Sequence, residues 1–270
     1  MLPNFIGVGV QRSATTWIFE CLREHSEIYV PPQKELHFFD AHFDKGLNWY
    51  KKFFEEAKGK KAVGEITPDY IYNYKALERI AATIPNVKIL VSLRHPVDRA
   101  YSAYSLLKNS YYKDISFEEA FWQKEYIKNV GFYSKHIKVL YNLFPKKNVL
   151  IFLYDDILTC PERVAKEIYK FLDVDASFIP SSLNKTYNKI LFPKIQSFLI
   201  KIKLEPILEG IKKSPMGHLI KKTFFYIENK KRFKKKKIDY QKYISVYEED
   251  ILELEKLINR DLKHWLKYKQ

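Results

Sequence analysis

Hydrophobic positions along the chain switch between two periods. Phe5-Ile6-Gly7-Val8-Gly9-Val10 is an apolar run with the length of a strand buried on both faces. Residues 15–24 then place Trp17, Ile18 and Leu22 at helical spacing. A short apolar run at 62–66 precedes Thr67-Pro68, a helical pattern covers 76–83, and the β-branched run at 87–93 reads as a strand. Helices are predicted over 96–108, with Pro96 in the first turn, and from Ser116, which forms a capping-box pattern with Glu119. Two more are predicted over 131–143 and 161–172, with a strand at 148–154 between them. Tyr247, Ile251, Leu254 and Ile258 mark a C-terminal helix ending near Trp265. Strands separated by helices predict an α/β fold, a central parallel β-sheet flanked by helices. Ligands in such folds bind at the carboxyl ends of the strands.

Residues 190–239 break this rhythm. Ile195, Phe198, Leu199 and Ile202 keep helical spacing, but Lys201, Lys203, Lys212, Lys213, Lys221 and Lys222 lie among and after them, and the stretch closes on a lysine-rich run at 230–237. We read a basic amphipathic helical insertion within one domain spanning 1–270. It holds 14 Lys or Arg against 4 Asp or Glu, so it carries most of the net charge of +15. Three readings suit it: a solvated lysine face, peripheral docking on an anionic membrane surface, or a grip on an acidic polysaccharide. Phe224, Phe225, Tyr226 and Phe233 stand among the lysines, but no nucleic-acid motif accompanies them, so nucleic acid is not an expected partner.

Composition narrows the class further. The chain of 270 residues is 46% hydrophobic and 16% aromatic, which is globular rather than disordered. Two cysteines, Cys21 and Cys160, do not make a disulfide framework and point to a reducing compartment. No signal-peptide pattern or run of membrane-spanning length is present, so a cytoplasmic protein, peripheral to a membrane at most, is expected.

Three polar constellations carry candidate chemistry. The first is the turn after the first strand, Gln11-Arg12-Ser13-Ala14-Thr15-Thr16-Trp17, where a cation, hydroxyls and the N–H groups of a helix N-terminus suit a phosphate. A solvated turn capped by Ser13 is the plainer alternative. The turn has no Gly-Lys pair and is not a Walker loop. The strand at 87–93 ends on Arg94 instead of a metal-holding carboxylate, so an anion held by cations, without a metal, is expected. The second constellation is Arg94 with Ser102, eight residues on in the next helix, suited to a second phosphate unless Arg94 merely pairs with Asp98. The third is Lys34-Glu35-Leu36-His37-Phe38-Phe39-Asp40. If extended, it puts Glu35 and His37 on one face, where they could deprotonate a hydroxyl; a surface Glu and a core-capping His are the alternative.

In this order the blocks resemble the sulfotransferase superfamily, which uses 3′-phosphoadenosine-5′-phosphosulfate (PAPS). Residues 11–17 resemble its 5′-phosphosulfate loop, usually Lys-Ser-Gly-Thr-Thr-Trp, and Arg94 with Ser102 resembles its 3′-phosphate motif. Residues 34–40 resemble the base-carrying segment of glycan-type members. The block around Gly131-Phe132-Tyr133, Phe144-Pro145 and Tyr154-Asp155-Asp156 resembles a later one. The resemblance covers roughly residues 4–176, with an echo at 255–265, and implies a P-loop-like sulfotransferase architecture.

It further implies catalytic roles for Glu35, His37 and Arg12. Contacts to PAPS are implied for Arg12, Ser13, Ala14, Thr15, Thr16, Trp17, Arg94, Ser102, Tyr133 and Lys185, the last in a substitute for the late Gly-rich phosphate loop. Arg12 stands where the family has a lysine, Ala14 where it has glycine, and Ile66 where relatives reading Glu-Lys-Thr-Pro have a further lysine. The implied reaction moves a sulfuryl group from PAPS to an acceptor hydroxyl or amine on a glycan, glycolipid or hydroxylated small molecule, leaving 3′,5′-ADP. A P-loop-type nucleotide kinase and a catalytically weakened 3′,5′-ADP-binding protein are the alternatives.

Overall fold

A computed structural model describes residues 1–108, 110–183 and 239–267. Five parallel strands form the sheet: β1 (Phe5–Gly9), β2 (Ile28–Tyr29), β3 (Ala62–Ile66), β4 (Lys88–Leu93) and β5 (Val149–Leu153), in the order β2-β3-β1-β4-β5. β1 is therefore central, and the chain leaves it at the carboxyl edge between β3 and β4.

Alternation along the strands builds two cores. Ile6 and Val8 of β1 and Ile89, Val91 and Leu93 of β4 face one side; Phe5 and Leu90 face the other. Helices α1 (Thr15–Glu24) and α6 (Pro161–Phe171) cover the second side. The first is covered by α2 (Tyr74–Thr83), α3 (Pro96–Leu107), α4 (Phe117–Gln123), α5 (Tyr133–Leu143) and α7 (Glu248–Ile258). Gly64 permits the β1–β3 pairing, since a Cβ there would lie 2.4 Å from the Phe5 carbonyl oxygen.

Predicted elements and observed ones differ at the ends. The capping box at Ser116 forms as expected, with Glu119 returning to the Ser116 N–H at 2.6 Å. The C-terminal helix stops at Ile258 because Asn259 takes a left-handed conformation (φ 51°), and a separate turn of helix at Lys263–Leu266 carries Trp265. The strap 34–37 is not extended: Glu35 and His37 both have positive φ, 64° and 50°. The basic segment lies outside the described residues except for its last position, Asp239, as does Lys185. No helix among the described residues is long and apolar enough to cross a membrane.

Candidate active site

The three constellations converge at the carboxyl edge of the sheet. Between β1 and α1 the chain curls through Arg12 (φ 74°) and Ala14 (φ 65°). Ala14 is the N-cap of α1, and no side chain caps that N-terminus. The first turn of α1 also holds no acid. Both features leave its positive end for an anion.

Arg12 Nε donates to Ser102 Oγ at 3.0 Å, spanning 90 residues of sequence. Arg94 Nη1 donates to the Arg12 carbonyl at 3.1 Å, and its guanidinium lies 4.5 Å from the centre of the Tyr154 ring. Arg94 thus braces the turn and does not pair with Asp98, whose carboxylate accepts from Tyr240 at 2.6 Å. Burial lowers the Arg12 pKa, and the nearby charges of Arg94 and Arg99 lower it further. Cations crowded this way are eased by an anion between them. The Ser13 hydroxyl and Arg94 Nε are buried and have no hydrogen-bond partner among the described residues. Both fit an anionic ligand.

The strap brings a carboxylate to this cation cluster. Lys34 Nζ donates to Glu35 Oε1 at 2.6 Å and lies 3.4 Å from Thr15 Oγ1, so Lys34 links the strap to the turn. Glu35 remains 36% exposed. His37 Nδ1 lies 2.9 Å from Asp40 Oδ2. Burial opposes the His37 imidazolium, but the Asp40 bond and the charges of Asp40, Asp69 and Glu35 carry its pKa above the ordinary value. Asp69 follows β3; burial raises its pKa against the hydrogen bond from Tyr72. Tyr126 senses both halves of the site. Burial pushes its pKa to about 12, Asp69 adds to the shift, and Arg99 and Arg12 oppose it.

Two sequence-predicted residues are buried. Trp17 is 5% exposed within the α1 core, its indole N–H on the Leu183 carbonyl at 2.9 Å. Tyr133 is fully buried and donates to the Arg94 carbonyl at 2.8 Å, supporting that arginine from below. Ile66 is buried in the core beneath α1, packed against Gly7, and adds no charge. Lys34, Asp69, Arg99 and Tyr126 were not among the residues singled out from sequence. For Lys34 the signal was its place beside Glu35; Arg99 offered only its place between Arg94 and Ser102.

A family model of the sulfotransferase domain matches residues 2–265. The chain belongs to the sulfotransferase family. Among curated relatives, the membrane-associated sulfotransferase kil1 of Dictyostelium discoideum is 38% identical over 106 residues, covering 38% of this chain and 22% of that protein. Human heparan sulfate glucosamine 3-O-sulfotransferase 3B1 is 28% identical over 180 residues, 63% of this chain and 46% of that protein. The chain spans less than half the length of these relatives. A sulfotransferase structure from Alicyclobacillus acidocaldarius aligns over 99% of this chain and 100% of its own, with a TM-score of 0.70 and 24% identity, and so shares the fold. The five-stranded parallel sheet is that of the sulfotransferase fold.

Proposed function

We propose that this sulfotransferase domain transfers a sulfuryl group from PAPS to an acceptor hydroxyl, or amine, on a carbohydrate or glycolipid. The observation that carries the reading is the Arg12–Ser102 contact, because it joins the two anion-binding motifs into one site. Arg94 and Ser102 would hold the 3′-phosphate. The Arg12–Thr16 turn and the positive end of α1 would hold the 5′ end. When bound, PAPS supplies an electrophilic sulfur on a phosphate leaving group.

The chain's own groups then have separable tasks. Glu35 accepts the proton of the acceptor hydroxyl, while Lys34 keeps its carboxylate beside Thr15. His37, anchored by Asp40, would help Glu35 take that proton. Arg12 can leave Ser102 and stabilise charge developing on the leaving phosphate. Arginine delivers that charge without readily giving up a proton, so the role of Arg12 is electrostatic. The heparan sulfate relatives support a sugar acceptor. The basic stretch 190–239 supports peripheral contact with an anionic membrane, in keeping with the name of the Dictyostelium relative. Flotation with anionic liposomes at low salt, with and without 190–239, tests that contact.

Replacing the base tests the reaction. Glu35→Gln should lower turnover about 10²- to 10⁴-fold and leave 3′,5′-ADP affinity unchanged. Wild-type turnover on an identified acceptor would sink the assignment; loss of all turnover in His37→Ala alone would move the base to His37.

A further inference from the structure

The strap that carries Glu35 and His37 has few backbone partners of its own, and the end of β3 supplies them. Glu65 is 1% exposed, yet it accepts from Tyr50 Oη at 2.8 Å, Thr67 Oγ1 at 2.7 Å and Tyr70 Oη at 3.2 Å. The Leu36 backbone N–H also donates to it. Two of those hydroxyls reach back to the strap. Thr67 Oγ1 accepts from the His37 N–H at 3.5 Å, and Tyr70 Oη accepts from the Phe39 N–H at 3.3 Å. The Ile66 carbonyl takes the Glu35 N–H at 3.2 Å. Four backbone N–H groups between 35 and 39 thus end on residues 65–70, three of them on Glu65 or on a hydroxyl bonded to it.

We propose that Glu65 is a positioning residue, a buried carboxylate that fixes the path of the strap and so aims Glu35 and His37 at the acceptor. This inference rests on the proposed role of those two residues.

The charge on Glu65 explains why a carboxylate stands there. An ionised carboxylate only accepts, so it commits the Thr67 and Tyr70 protons toward itself. Their oxygens are then left to receive the His37 and Phe39 N–H groups. A glutamine would place an N–H₂ among donors, and at least one hydroxyl would have to turn its proton away. The strap needs such holding because Glu35 and His37 both adopt the left-handed conformation, which crowds the Cβ of a side-chain-bearing residue against its own backbone. Burial raises the Glu65 pKa, partly offset by the four bonds, so the network also supports the anion that organises it.

The test pairs amide hydrogen exchange with kinetics in Glu65→Gln. Exchange of the Leu36, His37 and Phe39 amides should rise about tenfold, as expected for one lost hydrogen bond each, while amides in α1 and α3 hold their rates. Turnover should fall about a hundredfold, the cost of a small misplacement, with the KM for PAPS and the 3′,5′-ADP affinity unchanged. Unchanged exchange at the three amides overturns the proposal. So does unchanged turnover in Glu65→Gln when Glu35→Gln has lost it. If both variants keep turnover, the role of Glu35 fails, and raised exchange still supports Glu65 as the holder of the strap. Should Glu65→Gln not fold, Thr67→Val and Tyr70→Phe replace it. Each should speed exchange at its own amide, His37 or Phe39, and no change at either overturns the proposal.

Discussion

Ser102→Ala isolates the contact that joins the two phosphate motifs. Ser102 accepts from Arg12 Nε at 3.0 Å, and a hydroxyl that accepts one bond can still donate its proton. That proton is the one assigned to the 3′-phosphate. A hydrogen bond to a charged group contributes roughly 1.5–3 kcal/mol, which corresponds to about a 10- to 150-fold change in affinity. The loss belongs to the 3′-phosphate alone. Isothermal titration of wild type and variant with 3′,5′-ADP and with ADP therefore separates the two phosphates. The variant should bind 3′,5′-ADP at least about tenfold more weakly and bind ADP as before. Arg12, half-buried and short of an acceptor, should cost the free protein about 1 kcal/mol in urea unfolding. Equal losses for both ligands, or no loss for either, would refute the assignment of Ser102 to the 3′ site.

Two further predictions address the frame around the site. The His37 pKa is raised in the folded state, so its pairing with Asp40 stabilises the protein fully below about pH 6.5 and ceases to do so as pH rises through the folded value. Urea midpoints should decline across that interval, and Asp40→Asn should flatten the decline; equal slopes would contradict the pairing. Asp250 on α7 accepts from the Tyr133 N–H at 2.8 Å, the Ser134 N–H at 3.0 Å and Ser134 Oγ at 2.6 Å, pinning the start of α5. Asp250→Asn should cost about 2–3 kcal/mol in denaturant unfolding, and an unchanged midpoint would show that α5 is held by apolar packing alone.

Much of the architecture was legible because its signals are local. The apolar runs in β1, β3, β4 and β5, Pro96 at the start of α3 and the Ser116 capping box each carry their own marker. The two-residue strand β2 does not, since it is defined only by its pairing with β3. Asn259 ends α7 through a backbone angle that a periodic pattern of Tyr247, Ile251, Leu254 and Ile258 does not reveal. The candidate site followed the same division. Arg12, Arg94, Ser102 and Glu35 were read from motifs, and the fold brings the first three together. The condition that the strap be extended is not met, because its positive φ angles are held by partners about 30 residues away at Thr67 and Tyr70. Glu65 carries no marker of its own in the sequence, since its side-chain donors come from positions 50, 67 and 70 and converge only in three dimensions.

The proposed donor site requires a 3′-phosphate. Thermal unfolding of the wild-type protein with 3′,5′-ADP and with ADP, both without divalent metal, tests it most directly. At a hundredfold excess over Kd, a ligand selective for the folded state stabilises by about 2.7 kcal/mol. The melting temperature should rise clearly with 3′,5′-ADP and little with ADP at the same concentration. Equal shifts with the two nucleotides, or none with 3′,5′-ADP, would contradict it.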